Sequence, residues 1–140
     1  LSSLVGSEMC IRDSLNAELI IIAPSNPLVS IKPILEIPGF KSIIQKNNKN
    51  VIAVSPLIQG KAVKGPATKM LEILGFNPNS FYCMQMYNDI CKTFILDMSD
   101  IGLEKQFISL NQKPFFTDTL MTNLADKRRL AKFIINQPID

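Results

Sequence analysis

The chain has 140 residues, of which 46% are hydrophobic and 19% charged, and its formal net charge is +3. This balance predicts a globular protein with a core of its own, and the scattered basic residues without aromatic interleaving speak against a nucleic-acid partner. Histidine is absent, which excludes Ser-His and Cys-His nucleophile pairs within this chain, and no apolar run reaches the ~18 residues of a membrane-spanning helix.

Residues 1–14, LSSLVGSEMCIRDS, differ in character from the rest of the chain. They lack a cationic region followed by an apolar one, so they do not form a signal peptide. VGSEMCIRDS resembles a translated sequencing adaptor, and we interpret residues 1–14 as a non-native scar. Leu1 is then not a natural start, and we expect the chain to be a piece of a longer protein.

In the first half of the chain, apolar runs alternate with polar breaks. Glu18–Ala23 is short and rich in isoleucine, which predicts a buried strand. Ser30–Gln45 has a helical pattern that Pro38-Gly39 divides into two short helices. Val51–Ser55 predicts a second strand, which Pro56 ends.

The same alternation continues to the end of the chain. The remaining predicted elements are a helix from Pro66 to a Gly75 cap, helix Ser80–Tyr87 with Asn79 or Ser80 as its cap, strand Thr93–Leu96, helix Asp100–Ser109, strand Pro114–Phe116 and a last helix from Asp118 or Thr119 towards Ile135. Alternating strands and helices predict an α/β fold, a Rossmann-like three-layer sandwich in which helices cover both faces of a mostly parallel sheet.

The first candidate site follows the first predicted strand. Ligands of parallel sheets bind at the carboxyl ends of the strands. There, Ser25, Asn26 and Ser30 offer polar side chains beside the free amides of a helix start, which would suit an anion such as phosphate. The alternative is a plain turn, in which Ser25 and Asn26 only cap the helix and Pro27 stiffens it.

The second candidate site is GKAVKGP, residues 60–66, which follows the second predicted strand. Lys61 or Lys64 could supply a point charge to a phosphate, and Gly65 would permit its close approach. The alternative is a solvated surface loop.

Two carboxylates, Asp97 and Asp100, follow the third predicted strand. Carboxylates so placed could bind a divalent ion or act as a base. The alternative is that they cap the following helix, and Asp118 is a capping candidate as well.

The cysteines are Cys10, Cys83 and Cys91, and no two of them form a CxxC pair. Their spacing fits neither a zinc site nor a disulfide framework, and it favours reduced thiols. Because thiols stay reduced in the cytoplasm, we expect a cytoplasmic protein.

Several stretches together resemble one family. APSNPLVSIKPIL, VIAVSPLIQGKAVKGPATKMLEILG, FILDMSD and FFTDTLMTNLADKRRLA occur in the order and approximate spacing of the 2-phospho-L-lactate transferase family, which acts in biosynthesis of the deazaflavin coenzyme F(420). The first two stretches together carry most of the specificity.

The resemblance implies a reaction. A guanosine diphosphate-linked donor gives its 2-phospholactate or phosphoenolpyruvate group to a hydroxyl of the deazaflavin Fo, GMP leaves, and magnesium assists. At the first candidate site, the resemblance also favours phosphate binding over the alternative that Ser25 and Asn26 only cap the helix. The residues expected to contact the phosphates or the nucleotide are Ser25, Asn26, Ser30, Lys61, Lys64 and Gly65.

The resemblance extends only to the C-terminal half of the family. Residues 15–140 are accordingly interpreted as the C-terminal portion of a single α/β transferase domain. The family's N-terminal half carries the acidic residues expected to hold magnesium, so we predict that this chain alone is inactive. The resemblance separately implies that the full-length protein is a homodimer. Gln59 stands where the family pattern has a second glycine, which puts close backbone approach there in doubt.

Two other interpretations stay open. The first is a nucleotide- or nucleotide-sugar-binding module of the same fold without transferase activity. Such relatives usually have a GPGS-like turn where this chain has APSNP, which favours the transferase. The second is a truncated reading frame without a function of its own.

Overall fold

The computed structural model describes residue 9 and residues 11–139. Residues 11–16 are helical. Residues 1–8 and Cys10 lie outside the described residues, so the interpretation of residues 1–14 as a scar stays a prediction.

A four-stranded parallel sheet forms the centre of the fold. The strands in chain order are β1 (Ile20–Ile22), β2 (Val51–Val54), β3 (Leu57–Ile58), β4 (Lys61–Ala62), β5 (Thr93–Asp97) and β6 (Lys113–Thr117). Of these, β3 and β4 form a separate two-stranded hairpin outside the central sheet. The order in the sheet is β1-β2-β5-β6, and every neighbouring pair is parallel. The predicted strands and their parallel arrangement are therefore confirmed. The carboxyl ends of all four strands lie at one edge of the sheet.

Short helices connect the strands. They are α1 (Lys32–Leu35), which follows a π-helical turn at Pro27–Ile31, then α2 (Phe40–Lys46), α3 (Ala67–Ile73), α4 (Ser80–Gln85), α5 (Glu104–Ser109), which follows a 3-10 turn at Met98–Leu103, and α6 (Leu124–Ile135). The predicted break at Pro38-Gly39 is confirmed, with Gly39 at φ 82° before α2. Within the part of the chain that the structure describes, no helix is long and apolar enough to cross a membrane.

Helices cover both faces of the sheet because β2 and β5 are apolar at consecutive positions. On one face, Val51, Ala53 and Phe94 pack in a cluster with side chains of α2 to α5, among them Phe107. On the other face, the alternate residues of β2 and β5 pack against α6. This second cluster consists of Ile52, Val54, Ile95, Leu130 and Ile134. The predicted three-layer sandwich is confirmed.

A small hairpin after β2 differs from the prediction. The pattern of residues 60–66 predicts a loop, whereas β3 and β4 pair in antiparallel register, with Ile58 opposite Lys61. Gln59 and Gly60 connect them at φ 50° and φ 75°. A two-residue hairpin loop of this kind requires positive φ at both positions, and Asn-Gly or Asp-Gly is its usual sequence signal. Gln-Gly lacks that signal.

The last helix begins later than predicted. The pattern predicts its start at Asp118 or Thr119, but α6 starts at Leu124, and the Asn123 side chain caps it by accepting a hydrogen bond from the Asp126 amide at 2.9 Å. Thr119 instead donates its amide and its hydroxyl to Asp97 in β5, at 3.0 and 3.1 Å, which holds it at the edge of the sheet. Residues 118–123 form a loop instead.

Cys83 and Cys91 are buried and free, and burial raises the pKa of each thiol to about 12. Since the thiolate is the reactive form, we expect neither to react with iodoacetamide at pH 8 in the folded protein. Peptide mapping by mass spectrometry should find both unmodified, and both modified after unfolding in urea. Stoichiometric labelling of either cysteine in the folded protein would contradict the burial described.

Candidate functional site

A cavity of about 480 Å³ opens at the carboxyl edge of the sheet. It lies where β1 and β2 end and beside the loop that follows β6, as expected for a ligand site of a parallel sheet. The residues that line it are Pro24, Ser25, Asn26, Val29, Ser30, Ser55, Pro56, Val63, Lys64, Gly65, Pro66, Ala67, Thr119, Met121 and Lys127.

The cavity brings together most of the residues singled out from the sequence. Ser25, Asn26 and Ser30 come from the segment after β1, and Lys64 and Gly65 come from the loop after β4. Lys61 is not among the lining residues; it lies in β4 and is exposed. The two candidate stretches, some 35 residues apart in the printed sequence, therefore form walls of one cavity.

Asn26 builds the wall after β1. Its side-chain oxygen accepts hydrogen bonds from the amides of Leu28 at 2.9 Å and Val29 at 3.4 Å, and its side-chain nitrogen donates to the sulfur of Met70 at 3.4 Å. Asn26 is thus a helix cap, as the plain-turn interpretation requires. It also lines the cavity with Ser25, so capping and cavity formation belong to the same residues.

The hairpin and α3 hold the Lys64 loop at both of its ends. The amide of Ala62 donates to the hydroxyl of Thr68 at 2.7 Å, and that hydroxyl donates to the Gly60 carbonyl at 3.4 Å. Gly65 has φ 77°, a conformation that favours glycine, and nothing lies within 4 Å of the position of an added Cβ. The loop therefore presents Lys64 from a fixed backbone.

Asp100 holds the β3–β4 hairpin in place. Its carboxylate accepts hydrogen bonds from the amide of Gln59 at 3.1 and 3.3 Å and from the hydroxyl of Ser80 at 2.6 Å. Asp100 is buried and does not line the cavity. Its role in this structure is to position β3 and β4.

Asp97 fixes the third wall, the loop after β6. One of its carboxylate oxygens accepts from the amide and hydroxyl of Thr119, and the other accepts from the Ser99 amide at 2.9 Å. Burial by itself raises the pKa of Asp97, but the hydrogen bonds from Ser99 and Thr119 outweigh it, and the pKa lies below its ordinary value. Asp97 is therefore an ionised cap of the 3-10 turn that also holds Thr119 at the cavity.

The lining residues that lie outside the two candidate stretches were not predicted; they are Ser55, Pro56, Ala67, Thr119, Met121 and Lys127. Ser55 follows β2 as Ser25 follows β1, so the rule that led to Ser25 could have found it. Thr119 follows β6 in the same way, but it was assigned to the start of the last helix and was therefore not considered as a site residue. No pattern in the sequence assigns Lys127 to this edge, because its place depends on how α6 packs.

The described residues do not fit a magnesium site. No carboxylate lines the cavity, and no group of three or more Asp, Glu, His or Cys side chains within the described ranges could hold a metal ion. The oxygens of Asp97 and Asp100 are occupied by the hydrogen bonds given above. Magnesium remains an expectation of the resemblance, and no chemical step is assigned to it.

Comparison with known proteins gives one consistent result. A family model described as 2-phospho-L-lactate transferase CofD matches residues 8–132. The chain is 38% identical over 120 residues to the 2-phospho-L-lactate transferase of Methanocaldococcus jannaschii, covering 86% of this chain and 37% of that protein. It is 36% identical over 120 residues to the one from Methanosarcina barkeri, covering 86% of this chain and 38% of that protein. The chain thus spans less than two fifths of the curated relatives it matches.

Proposed function

Because the chain belongs to the 2-phospho-L-lactate transferase family, we propose that its cavity binds the phosphates of a guanosine diphosphate-linked donor. In the complete protein, the donor's 2-phospholactate or phosphoenolpyruvate group passes to a hydroxyl of the deazaflavin Fo, and GMP is released. The protein is accordingly proposed to act in coenzyme F(420) biosynthesis in the cytoplasm, as a homodimer. The present chain contributes part of the lining of that site. By itself, it is proposed to have no transferase activity.

The observation that carries this proposal is the composition of the cavity. Ser25, Ser30 and Thr119 bring hydroxyl groups to it, Lys64 brings a positive charge, and none of the described residues that line it is a carboxylate. Hydroxyl donors and an ammonium group are suited to phosphate oxygens, which accept hydrogen bonds and carry negative charge. Apolar residues of the lining, among them Val63, offer a surface for the uncharged parts of a nucleotide.

The proposed chemistry is displacement at phosphorus. The Fo hydroxyl attacks the phosphorus that bears the acid, and the bond from that phosphorus to the bridging oxygen breaks, so GMP leaves with that oxygen. Negative charge is then redistributed over the phosphoryl oxygens, and fixed donors and cations stabilise it. Lys64 is proposed to supply part of that stabilisation. The group that accepts the proton of the hydroxyl is not assigned to any residue of this chain.

Binding of GDP to the chain tests the proposal. We expect isothermal titration calorimetry to detect GDP binding and Lys64→Met to weaken it by about tenfold, because one cation–phosphate contact is lost. Lys61→Met is the matched comparison: since Lys61 does not line the cavity, we expect nearly full affinity after that change. This second expectation departs from the assignment of Lys61 made from the sequence, and the same titration decides between them.

Two outcomes would count against the proposal. Absence of GDP binding by the unmodified chain would remove its basis. Equal affinities for the unmodified chain and for Lys64→Met would mean that GDP binds elsewhere.

A separate titration with Fo addresses the alternative of a nucleotide-binding module, since a transferase requires an acceptor site and such a module does not.

A further inference from the structure

A second lysine, Lys127, lines the cavity from the opposite side of the sheet. Lys64 precedes α3, whose Leu71 packs in the cluster on one face. Lys127 lies in the first turns of α6, whose Leu130 packs in the cluster on the other face. The two ammonium-bearing side chains therefore approach the carboxyl edge of the sheet from its two faces, with the cavity between their helices.

Lys127 is free of competing carboxylates, as far as the described residues show. The carboxylates nearest to it in the chain, Asp118 and Asp126, are bound by Arg129 at 3.0 and 2.6 Å. Among the ion pairs of the described residues, none involves Lys127 or Lys64. Among the described residues that line the cavity there are thus two cations and no anion, a charge imbalance that a bound anion would neutralise.

The backbone that carries Lys127 is fixed. The guanidinium of Arg129 donates to the Leu120 carbonyl at 3.0 Å, and the hydroxyl of Thr122 donates to Asp126 at 2.6 Å. Asp97 holds Thr119 in the same loop, as described above. The loop after β6 and the start of α6 therefore form one rigid wall, so a ligand would not have to order this side of the cavity.

From these observations we propose that Lys127 is a second phosphate-binding cation and that, with Lys64, it selects ligands with two linked phosphoryl groups over ligands with one. The proposal rests on the proposed use of this cavity for phosphates and adds a residue and a selectivity to it. One cation at each side of the cavity suits a diphosphate, because each phosphoryl group can pair with a separate ammonium group. We expect a single phosphate to pair with only one of the two ammonium groups, because Lys64 and Lys127 belong to segments that pack on opposite faces of the sheet.

Titrations with inorganic pyrophosphate and inorganic phosphate test this proposal. We expect the unmodified chain to bind pyrophosphate about tenfold more tightly than phosphate, and Lys127→Met to weaken pyrophosphate binding by about tenfold while changing phosphate binding far less. Lys127→Arg, which retains the charge, should keep most of the affinity. Lys132→Met removes an equal charge from the last turn of the same helix and should have no effect.

The outcomes separate this proposal from the one on which it rests. If Lys127→Met binds pyrophosphate as the unmodified chain does, while Lys64→Met weakens that binding, Lys127 has no such role and the phosphate site itself stands. If the unmodified chain binds neither GDP nor pyrophosphate, both proposals fail. Because Lys127 is exposed, we expect Lys127→Met to melt at the temperature of the unmodified chain, so a loss of binding would not reflect unfolding.

Discussion

Gly60→Ala is expected to destabilise the protein by about 2–5 kcal/mol. Gly60 has φ 75°, which an alanine adopts only at a cost, and an added Cβ would lie 2.3 Å from the carbonyl oxygen of Pro78. That oxygen belongs to the backbone, so the hairpin or the segment before α4 must move. Because a domain of this size is stable by only about 5–15 kcal/mol, urea unfolding followed by circular dichroism should show a large loss.

Gly75→Ala is the matched control for this prediction. Gly75 has φ 80° but no atom within 4 Å of an added Cβ, so it carries the conformational cost without the collision. We expect it to lose only about 1–2 kcal/mol. Equal losses for Gly60→Ala and Gly75→Ala would show that the contact with Pro78 is not as close as described. Gly60→Ala should also weaken GDP binding, since β4 leads directly into the Lys64 loop.

Asp97→Asn is expected to cost about 2–4 kcal/mol at neutral pH. The carboxylate accepts three hydrogen bonds, two of them from Thr119, and the residue as a whole is only 6% exposed. An asparagine presents an amide nitrogen where one carboxylate oxygen stood, so donors would face a donor. The loop that holds Thr119 and Met121 at the cavity should loosen, and GDP binding should weaken with it.

The cost of Asp97→Asn should depend on pH in a defined direction. Because the pKa of Asp97 is lowered in the folded state, its contribution is complete above the pKa of the unfolded chain, about 3.9, and is lost as the pH falls through the folded-state value. Urea unfolding at pH 7 and at pH 3 should therefore show the larger difference between the two proteins at pH 7. Asp118→Asn, an exposed carboxylate in the same loop, should cost less than about 1 kcal/mol. A difference for Asp97→Asn that stays constant with pH would contradict an ionised, hydrogen-bonded Asp97.

The core of this fold could be predicted because its signals are local. Val51–Val54 and Thr93–Asp97 are continuous apolar or buried runs bounded by polar residues, and Pro38-Gly39 interrupts a helical pattern at the point where the structure does. The β3–β4 hairpin and the start of α6 could not be predicted in this way. Both depend on carboxylates from β5 and the turn after it: Asp100 holds Gln59, and Asp97 holds Thr119. Such contacts join residues more than 20 positions apart.

Some residues of the candidate site could likewise be predicted from local sequence signals, and others could not. Ser25 and Asn26 could be proposed because they come shortly after β1, and strand ends meet at one edge of a parallel sheet. Lys64 could be proposed because its loop was expected to follow β2 at the same edge. Whether Lys61 or Lys64 faces the cavity depends on the hairpin, which places Lys61 in β4 and leaves Lys64 in the loop beyond it. Lys127 depends on the packing of Leu130 and Ile134 against the far face of the sheet, which no local pattern reveals.

A titration of the ¹⁵N-labelled chain with GDP, followed by amide chemical shifts, tests directly whether the cavity at the carboxyl edge of the sheet binds the nucleotide. We predict that the shifted amides cluster around the carboxyl edge of the sheet, at Ser25, Ser30, Lys64, Gly65 and Thr119. A second cavity, at the amino ends of β5 and β6, is lined by Lys92, Asn111 and their neighbours and serves as an internal reference. Shifts confined to that second cavity, or no shifts at all at saturating GDP, would contradict GDP binding at the carboxyl edge of the sheet.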